Sequence, residues 1–370
     1  MKKILYLSFI SFFVSSFSFA QKKHTGNTHW PLELNSSKDF DVASKSEMLV
    51  FIEVFNSFDT LSTVDLSIKT KVKNIKESSV ILWKKETKKR ILSNFSNLSN
   101  QSLKEVIIIP KKNTWETLSN IKLQNKLPKH FLMWYEKTKE FYVDYIKEQI
   151  RLSALFPNIT SEILTLSKNE IQGHNFQDKK FLLTFDDGPT AVNGNTDKLV
   201  KVLNENNLTG MFFVLGDNLT KRLKASSIKS IKQLYNDNLV LSHGKTHKSH
   251  QKYTEWKNSI DYTNNLIQSI FPFKNKLIYF RPPYGQRNQE LVDYFTSKKS
   301  KILYWNIDSR DWSSKLNFEQ VANRQIKLML LWRKGILLFH DIHSKAQKVT
   351  PIIYTYFKNS GITWINPHEF

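Results

Sequence analysis

The second half of the chain reads as a parallel α/β fold, an open sheet or a barrel, behind a less regular region that mixes helical and strand-like segments. Three observations predict this. From Lys180 to the C-terminus, short apolar runs rich in β-branched and aromatic residues alternate with amphipathic stretches of helical length. Seven such runs occur, each far enough from the next for a crossover helix. Carboxylates, histidines or an arginine recur just after five of them, at the strand ends where parallel α/β folds carry their chemistry.

Composition sets the frame. The chain has 370 residues, 40% of them hydrophobic and 13% aromatic, enough to bury a substantial core. It contains no cysteine, which excludes disulfides, thiolate metal sites and a cysteine nucleophile. Lys2 and Lys3 precede an apolar run from Ile4 to about Val14, and small residues at Ser18 and Ala20 fit a cleavage site before Gln21. Residues 1–20 therefore read as a secretory signal peptide, with a retained anchor as the alternative, and the mature protein as periplasmic or secreted. The formal charge of +22 suits anionic partners such as an envelope polymer, and permits peripheral contact with lipid headgroups. Export, and the lack of a basic-aromatic recognition motif, argue against nucleic acid.

Residues 21–175 form a region whose function the sequence does not disclose. Gln21 to about Ser46 is polar and reads as a linker or arm, and Glu47–Phe58 as a helix or strand. Ser79–Trp83 and Glu105–Ile109 are strand-like, the second stopped by Pro110. From Pro128, a stripe of Phe131, Trp134, Tyr135, Tyr142, Tyr145, Ile146 and Ile150 recurs at helical spacing and reads as core, with Pro157 ending the helix.

Residues 176–370 hold the regular pattern, after a polar boundary near Ser167–Gln177. The strand runs are Phe181–Phe185, Met211–Leu215, Leu239–Leu241, Leu277–Phe280, Ile302–Asn306, Ile336–His340 and Ile362–Ile365. Helical stretches lie at Thr196–Asn206, Trp256–Phe271, Asn288–Ser297, Phe318–Trp332 and Val349–Lys358.

The strand ends carry the candidate chemistry. Asp186 and Asp187 follow the first strand and Gly188-Pro189 turns the chain after them. His243 and His247, four apart after the third strand, can aim two imidazoles at one ion. With a carboxylate from Asp186 or Asp187 they make a two-histidine, one-carboxylate set, suited to hydrolytic zinc or to non-haem iron in an oxygenase. The other aspartate is then free to act as a base on water. Arg281 would orient that base and lower its pKa. His340 is the candidate acid for a leaving group, and Asp311 could fix its tautomer and charge. His250 reads as surface, with a minor chance of ligation, and His343 as structural.

Five ordered motifs in this half resemble the polysaccharide deacetylase family, the NodB-homology group of carbohydrate esterases (family 4). They are TFDDGP at Thr184–Pro189, HxxxH at His243–His247, RPPYG at Arg281–Gly285, DxxDW at Asp308–Trp312 and LxHD at Leu338–Asp341. The resemblance covers about Asp178 to Phe370. It implies a distorted parallel (β/α) barrel of about seven strands, with Asp186 as catalytic base and Asp187, His243 and His247 as metal ligands. It further implies that Arg281 orients the base, Asp311 partners the acid His340, and the Tyr284 amide donates to the oxyanion. Trp312 and Leu338 match the pocket for the acetyl methyl. The expected cofactor is a divalent metal, Zn²⁺ first and Co²⁺ or Ni²⁺ next. The expected reaction is removal of acetyl groups from an N-acetylated glycan, possibly peptidoglycan or another anionic envelope polymer. An inactive glycan-binding protein on the same fold and an esterase of O-acetyl-xylan type are the alternatives. Gly244 departs from the family, where Ser or Thr often follows the first ligand histidine; its loss is expected to loosen the loop.

Overall fold

The computed structural model describes residues 29–98, 113–156, 158, 167–272 and 279–370. The candidate signal segment, the Glu105–Ile109 run and Pro157 lie outside the described residues.

The second half is a parallel α/β half-barrel. Its strands are β1 (Glu170–Ile171), β2 (Lys180–Asp186), β3 (Met211–Val214), β4 (Leu239–Ser242), β5 (Tyr279–Phe280), β6 (Lys301–Leu303), β7 (Ile307–Asp308), β8 (Gly335–His340) and β9 (Thr363–Trp364). They run in the order β1-β6-β5-β4-β3-β2-β8-β7, with β9 also paired to β2, and every pair is parallel. The seven strands read from the sequence are all present. β1 and β7 are additional, two residues each, and they end the sheet without pairing to one another. Central strand β2 is buried on both faces, as its unbroken apolar run requires. Register places Asp186 beside His340 of β8, so two candidate catalytic groups leave neighbouring strand ends together.

Crossover helices α6 (Asn195–Glu205), α7 (Gly216–Ala225), α8 (Ile228–Tyr235), α9 (Trp256–Ile270), α10 (Gln289–Ser297), α11 (Phe318–Trp332) and α12 (Ser344–Phe357) wrap the sheet. α7 and α8 went unread in the sequence because Gly216 opens one and Ser226-Ser227 separates the two, so neither is long enough to show a clear period.

Up to Ala154 the described part of the N-terminal region is helical rather than mixed, and β1, which falls before residue 175, belongs to the sheet. The helical part comprises α1 (Ser37–Asp59), α2 (Thr63–Thr70), α3 (Glu77–Ser96), α4 (Trp115–Ser119) and α5 (Leu132–Ala154). The strand reading of Ser79–Trp83 fails because that run opens α3. Val80, Trp83, Thr87, Ile91 and Phe95 line its buried face at helical spacing across a charged stretch that obscured the period. Likewise, the last ten residues of the supposed polar arm belong to α1, capped by Ser36.

These helices share one apolar core with the half-barrel. Between α1, α5 and α11 a buried polar knot is closed on itself. Glu47 accepts from Trp134 Nε1 at 2.9 Å and Tyr142 OH at 2.8 Å and pairs with Lys327 of α11 at 3.3 Å, while Lys327 donates to Thr138 at 2.6 Å. Arg333, just after α11, pairs with Asp41 of α1 at 2.7 Å and with Asp178 at 2.6 Å. Removing one member of such a buried set strands its partners, which costs several kcal/mol (about 3–5 for an ion pair).

Candidate active site

Side chains from the ends of β2, β4, β5, β7 and β8 converge on one cleft of about 470 Å³. Asp186, Asp187, His243, His247, Tyr284, Trp312, Leu338 and His340 all line it. Arg281 and Asp311 lie buried behind, each against a lining residue.

The Arg281 guanidinium is the floor. Nη1 donates to Asp186 Oδ1 and to Thr184 Oγ1, both at 2.8 Å, while Nε and Nη2 donate to the carbonyls of Leu303 and Tyr304. Four acceptors, two on β2 and two at the end of β6, hold the guanidinium that fixes one oxygen of Asp186. Burial drives the Asp186 pKa up to about 6 although Arg281 and His340 pull it down. Arg281 does lower the pKa, as its charge and position led one to expect, but desolvation outweighs the cation and the net shift is upward. A base that gives up its proton near neutrality is well matched to its task.

Asp187, whose φ of 81° is left-handed, turns away from its neighbour toward the histidines. Its Oδ1 is buried and accepts no hydrogen bond, yet lies 3.5 Å from Nε2 of both His243 and His247. Three donors around one ion with bonds near 2.0–2.1 Å stand about 3.3 Å apart in tetrahedral geometry, close to this spacing. His243 Nδ1 donates to the Arg281 carbonyl at 2.7 Å, which leaves the Nε2 lone pair facing the cleft. Burial holds both imidazoles below their ordinary pKa, so neither supplies the charge that Asp187 lacks. A cation fits this set, and these three residues form a group that could hold a metal ion.

Across the cleft, His340 Nδ1 donates to Asp311 Oδ1 at 2.8 Å, and the His340 amide donates to Asp311 Oδ2 at 2.8 Å. Burial opposes the imidazolium, but the Asp311 carboxylate outweighs it, with Asp187 and Asp186 adding to the effect, and the pKa rises to about 10. His340 is accordingly charged at neutral pH with Nε2 available. Trp312 is half exposed over the cleft, Leu338 is buried in its wall, and Tyr284, at a left-handed φ of 60°, rests its ring 4.3 Å from that of His247.

Two readings of this loop region change. His250 is buried, not surface: its Nδ1 donates to the Lys248 carbonyl at 2.8 Å and its ring packs edge-on against Phe280. Gly244 does not loosen the loop, because its φ of +84° and the closeness of His250 both call for glycine. Sequence reading also missed a whole wall. Glu148, Arg151 and Leu152 of α5 line the same cleft, and nothing local to that helix signals it.

Residues 173–301 match the polysaccharide deacetylase family model. The chain carries a domain of the polysaccharide deacetylase family. The DxxDW and LxHD motifs lie beyond the matched segment, on the next strands of the same sheet. A bifunctional xylanase/xylan deacetylase from Cellvibrio japonicus is 31% identical over 161 residues, covering 43% of this chain and 22% of that protein. A peptidoglycan-N-acetylglucosamine deacetylase from Bacillus cereus is 30% identical over 133 residues, covering 35% and 45% respectively. The chain thus spans less than half the length of either relative. A crystal structure of a peptidoglycan N-acetylglucosamine deacetylase aligns with a TM-score of 0.48 at 21% identity, over 54% of this chain and 92% of that one.

Proposed function

We propose that this chain is an exported, metal-dependent hydrolase that removes acetyl groups from an N-acetylated envelope glycan. One observation carries the reading: a buried, oriented carboxylate, a cation-ready carboxylate with two imidazoles, and a charged imidazole face one another across a single cleft. Asp187, His243 and His247 would hold a divalent ion, zinc by the chemistry of a two-imidazole, one-carboxylate set. Bound there, the ion supplies Lewis acidity and eases ionisation of water.

The remaining chemistry belongs to the chain. Asp186, with Oδ1 held by Arg281, keeps Oδ2 to receive the proton of the attacking water. Trp312 and Leu338 give the acetyl methyl an apolar seat, and the Tyr284 amide is the donor for the oxyanion, a kind of contact worth roughly 3–4 kcal/mol. His340, kept charged by Asp311, gives its proton to the nitrogen as the C–N bond breaks. Acetate and a free amine leave, so that water is consumed and no other co-reactant is needed.

The charge of the molecule favours an anionic glycan. Beside the +22 of the whole chain, Arg151 lines the cleft and makes no ion pair among the described residues. No helix among the described residues is long and apolar enough to cross a membrane. The test is acetate release from a panel: peptidoglycan, chito-oligosaccharides, and acetylated xylan because one relative is named a xylan deacetylase. Asp186→Asn with its metal retained should lose turnover. Near-normal release by that variant would remove Asp186 as the base, and no release from any member by the wild type would remove the reading itself.

A further inference from the structure

Helix α5 lies outside the segment that matches the family, yet it reaches the loop that serves His340. Glu148 Oε2 pairs with Arg310 Nη1 at 2.9 Å, and its Oε1 pairs with Arg324 Nη2 at 3.0 Å. The two arginines hold the start and the middle of one short loop. Arg324 Nε donates to the Asp308 carbonyl at 2.8 Å, fixing where β7 ends. Arg310 stands in the middle of the loop, at a left-handed φ of 56°, and its amide donates to Asp308 Oδ1 at 2.8 Å. The next two residues are Asp311, which grips His340, and Trp312, whose ring lies 5.5 Å from the Arg310 guanidinium.

A left-handed arginine is an uphill backbone conformation that persists only where its surroundings enforce it. The carboxylate that enforces it here comes from a helix more than 150 residues away in the chain. It is four-fifths buried at its side chain, so its attraction for two guanidiniums is weakly screened. Without it, the two guanidiniums would lose the one carboxylate that both share.

Resting on the function proposed above, we propose that Glu148 is a positioning residue of the active site: by tying Arg310 to Arg324 it sets the Asp308–Trp312 loop in the shape that presents Asp311 to His340. The helical N-terminal region is then a working part of the catalytic centre. Glu148 touches no reacting atom in this scheme; it acts through the loop.

The test uses the full chain. Glu148→Gln, Arg310→Gln, Asp311→Asn and the double variant Glu148→Gln/Asp311→Asn are compared for kcat and KM of acetate release from an N-acetylated chito-oligosaccharide. The His340 Nδ1 proton is followed in parallel by NMR. Glu148→Gln should lower kcat by about tenfold with KM within about twofold, the pattern of a misplaced catalytic group. Adding it to Asp311→Asn should cost little more, because both act on one element. Glu148→Asp should restore part of the loss. Unchanged kcat in Glu148→Gln, or an equal fall in kcat with and without Asp311, overturns the proposal. If Glu148→Gln does not fold, Arg310→Gln breaks the same link from the loop side, and unchanged kcat there overturns it equally. If the wild type deacetylates nothing, the His340 proton still decides: an undisturbed resonance in Glu148→Gln rejects the positioning role, whereas loss of the function reading alone would leave it shifted.

Discussion

The imidazole of His250 occupies the space that any side chain at Gly244 would need. A Cβ built on Gly244 would lie 2.6 Å from His250 Cε1, and the glycine backbone is left-handed besides. Two residues in the loop between the candidate ligands His243 and His247 and just after it are therefore matched, one absent side chain to one buried ring.

Gly244→Ser should consequently disturb the metal site, although serine or threonine is common there in the family. The left-handed backbone alone costs about 1–3 kcal/mol, and displacement of His250 adds to it. We expect a thermal midpoint several degrees lower and weaker binding of Zn²⁺ by titration. Substituting His250→Ala in the Gly244→Ser background should recover part of the loss, since the clash but not the backbone strain is relieved. Equal midpoints for wild type and Gly244→Ser would refute the pairing.

In the proposed reaction, Asp311 should set the alkaline limit of turnover. Its carboxylate keeps His340 protonated to about pH 10, against an ordinary value of 6.5. With His340 as the proposed acid the working form is the imidazolium, so activity should be retained as pH rises until that proton leaves. Asp311→Asn removes the charge that offsets burial, and the basic limb of the kcat profile should move down by at least about two pH units. A basic limb in the same place in both enzymes would show that His340 is not the group titrating.

Asp341 makes the opposite kind of contribution, to stability. It is buried, accepts from Thr196 Oγ1 at 2.8 Å, and its pKa is raised to about 7, by burial first. Below pH 3.8 the carboxyl is neutral in folded and unfolded chains alike. As pH rises toward 7, the unfolded chain ionises while the folded one does not, and the folded state loses stability, reaching about 4 kcal/mol by pH 7. Asp341→Asn does not titrate, so its stability relative to wild type should climb between about pH 4 and 7 and then level off. Urea unfolding at a series of pH values measures this directly. A difference independent of pH would mean that Asp341 ionises normally.

Metal should act as a folding ligand as well as a catalyst. An ion held only by the folded Asp187, His243 and His247 stabilises by about 2.7 kcal/mol at a hundredfold excess over Kd. Chelation should lower the midpoint, Zn²⁺ should restore it, and Asp187→Asn should abolish the response. A zinc response that survives in Asp187→Asn would place the ion elsewhere.

The parts of this molecule that were legible in the sequence are those whose information is local. β2 is visible as an apolar run ending in Asp186-Asp187, and α11 as an amphipathic stretch whose limits, Phe318–Trp332, coincide with the helix. Two-residue strands such as β1 and β7 carry no period to detect, because pairing to a neighbour defines them. His250 reads as polar surface by residue type, and only the positive φ of Gly244 makes room for it inside. Glu148 sits among charged residues on a helix that reads as ordinary amphipathic core. Its partners are 162 and 176 positions away, and no spacing within α5 records them.

The gap in the sheet has its own consequence. β1 and β7 leave their outer edges unpaired, and the small cavity between the segments around them is lined by Trp83 and Arg90 of α3 and by Tyr145 and Gln149 of α5. The N-terminal helices thus roof two strand edges that would otherwise template pairing with other chains. A protein trimmed to residues 167–370 would keep the whole sheet and lose those helices, and it should fail first by self-association, before any loss that an assay for acetate could register.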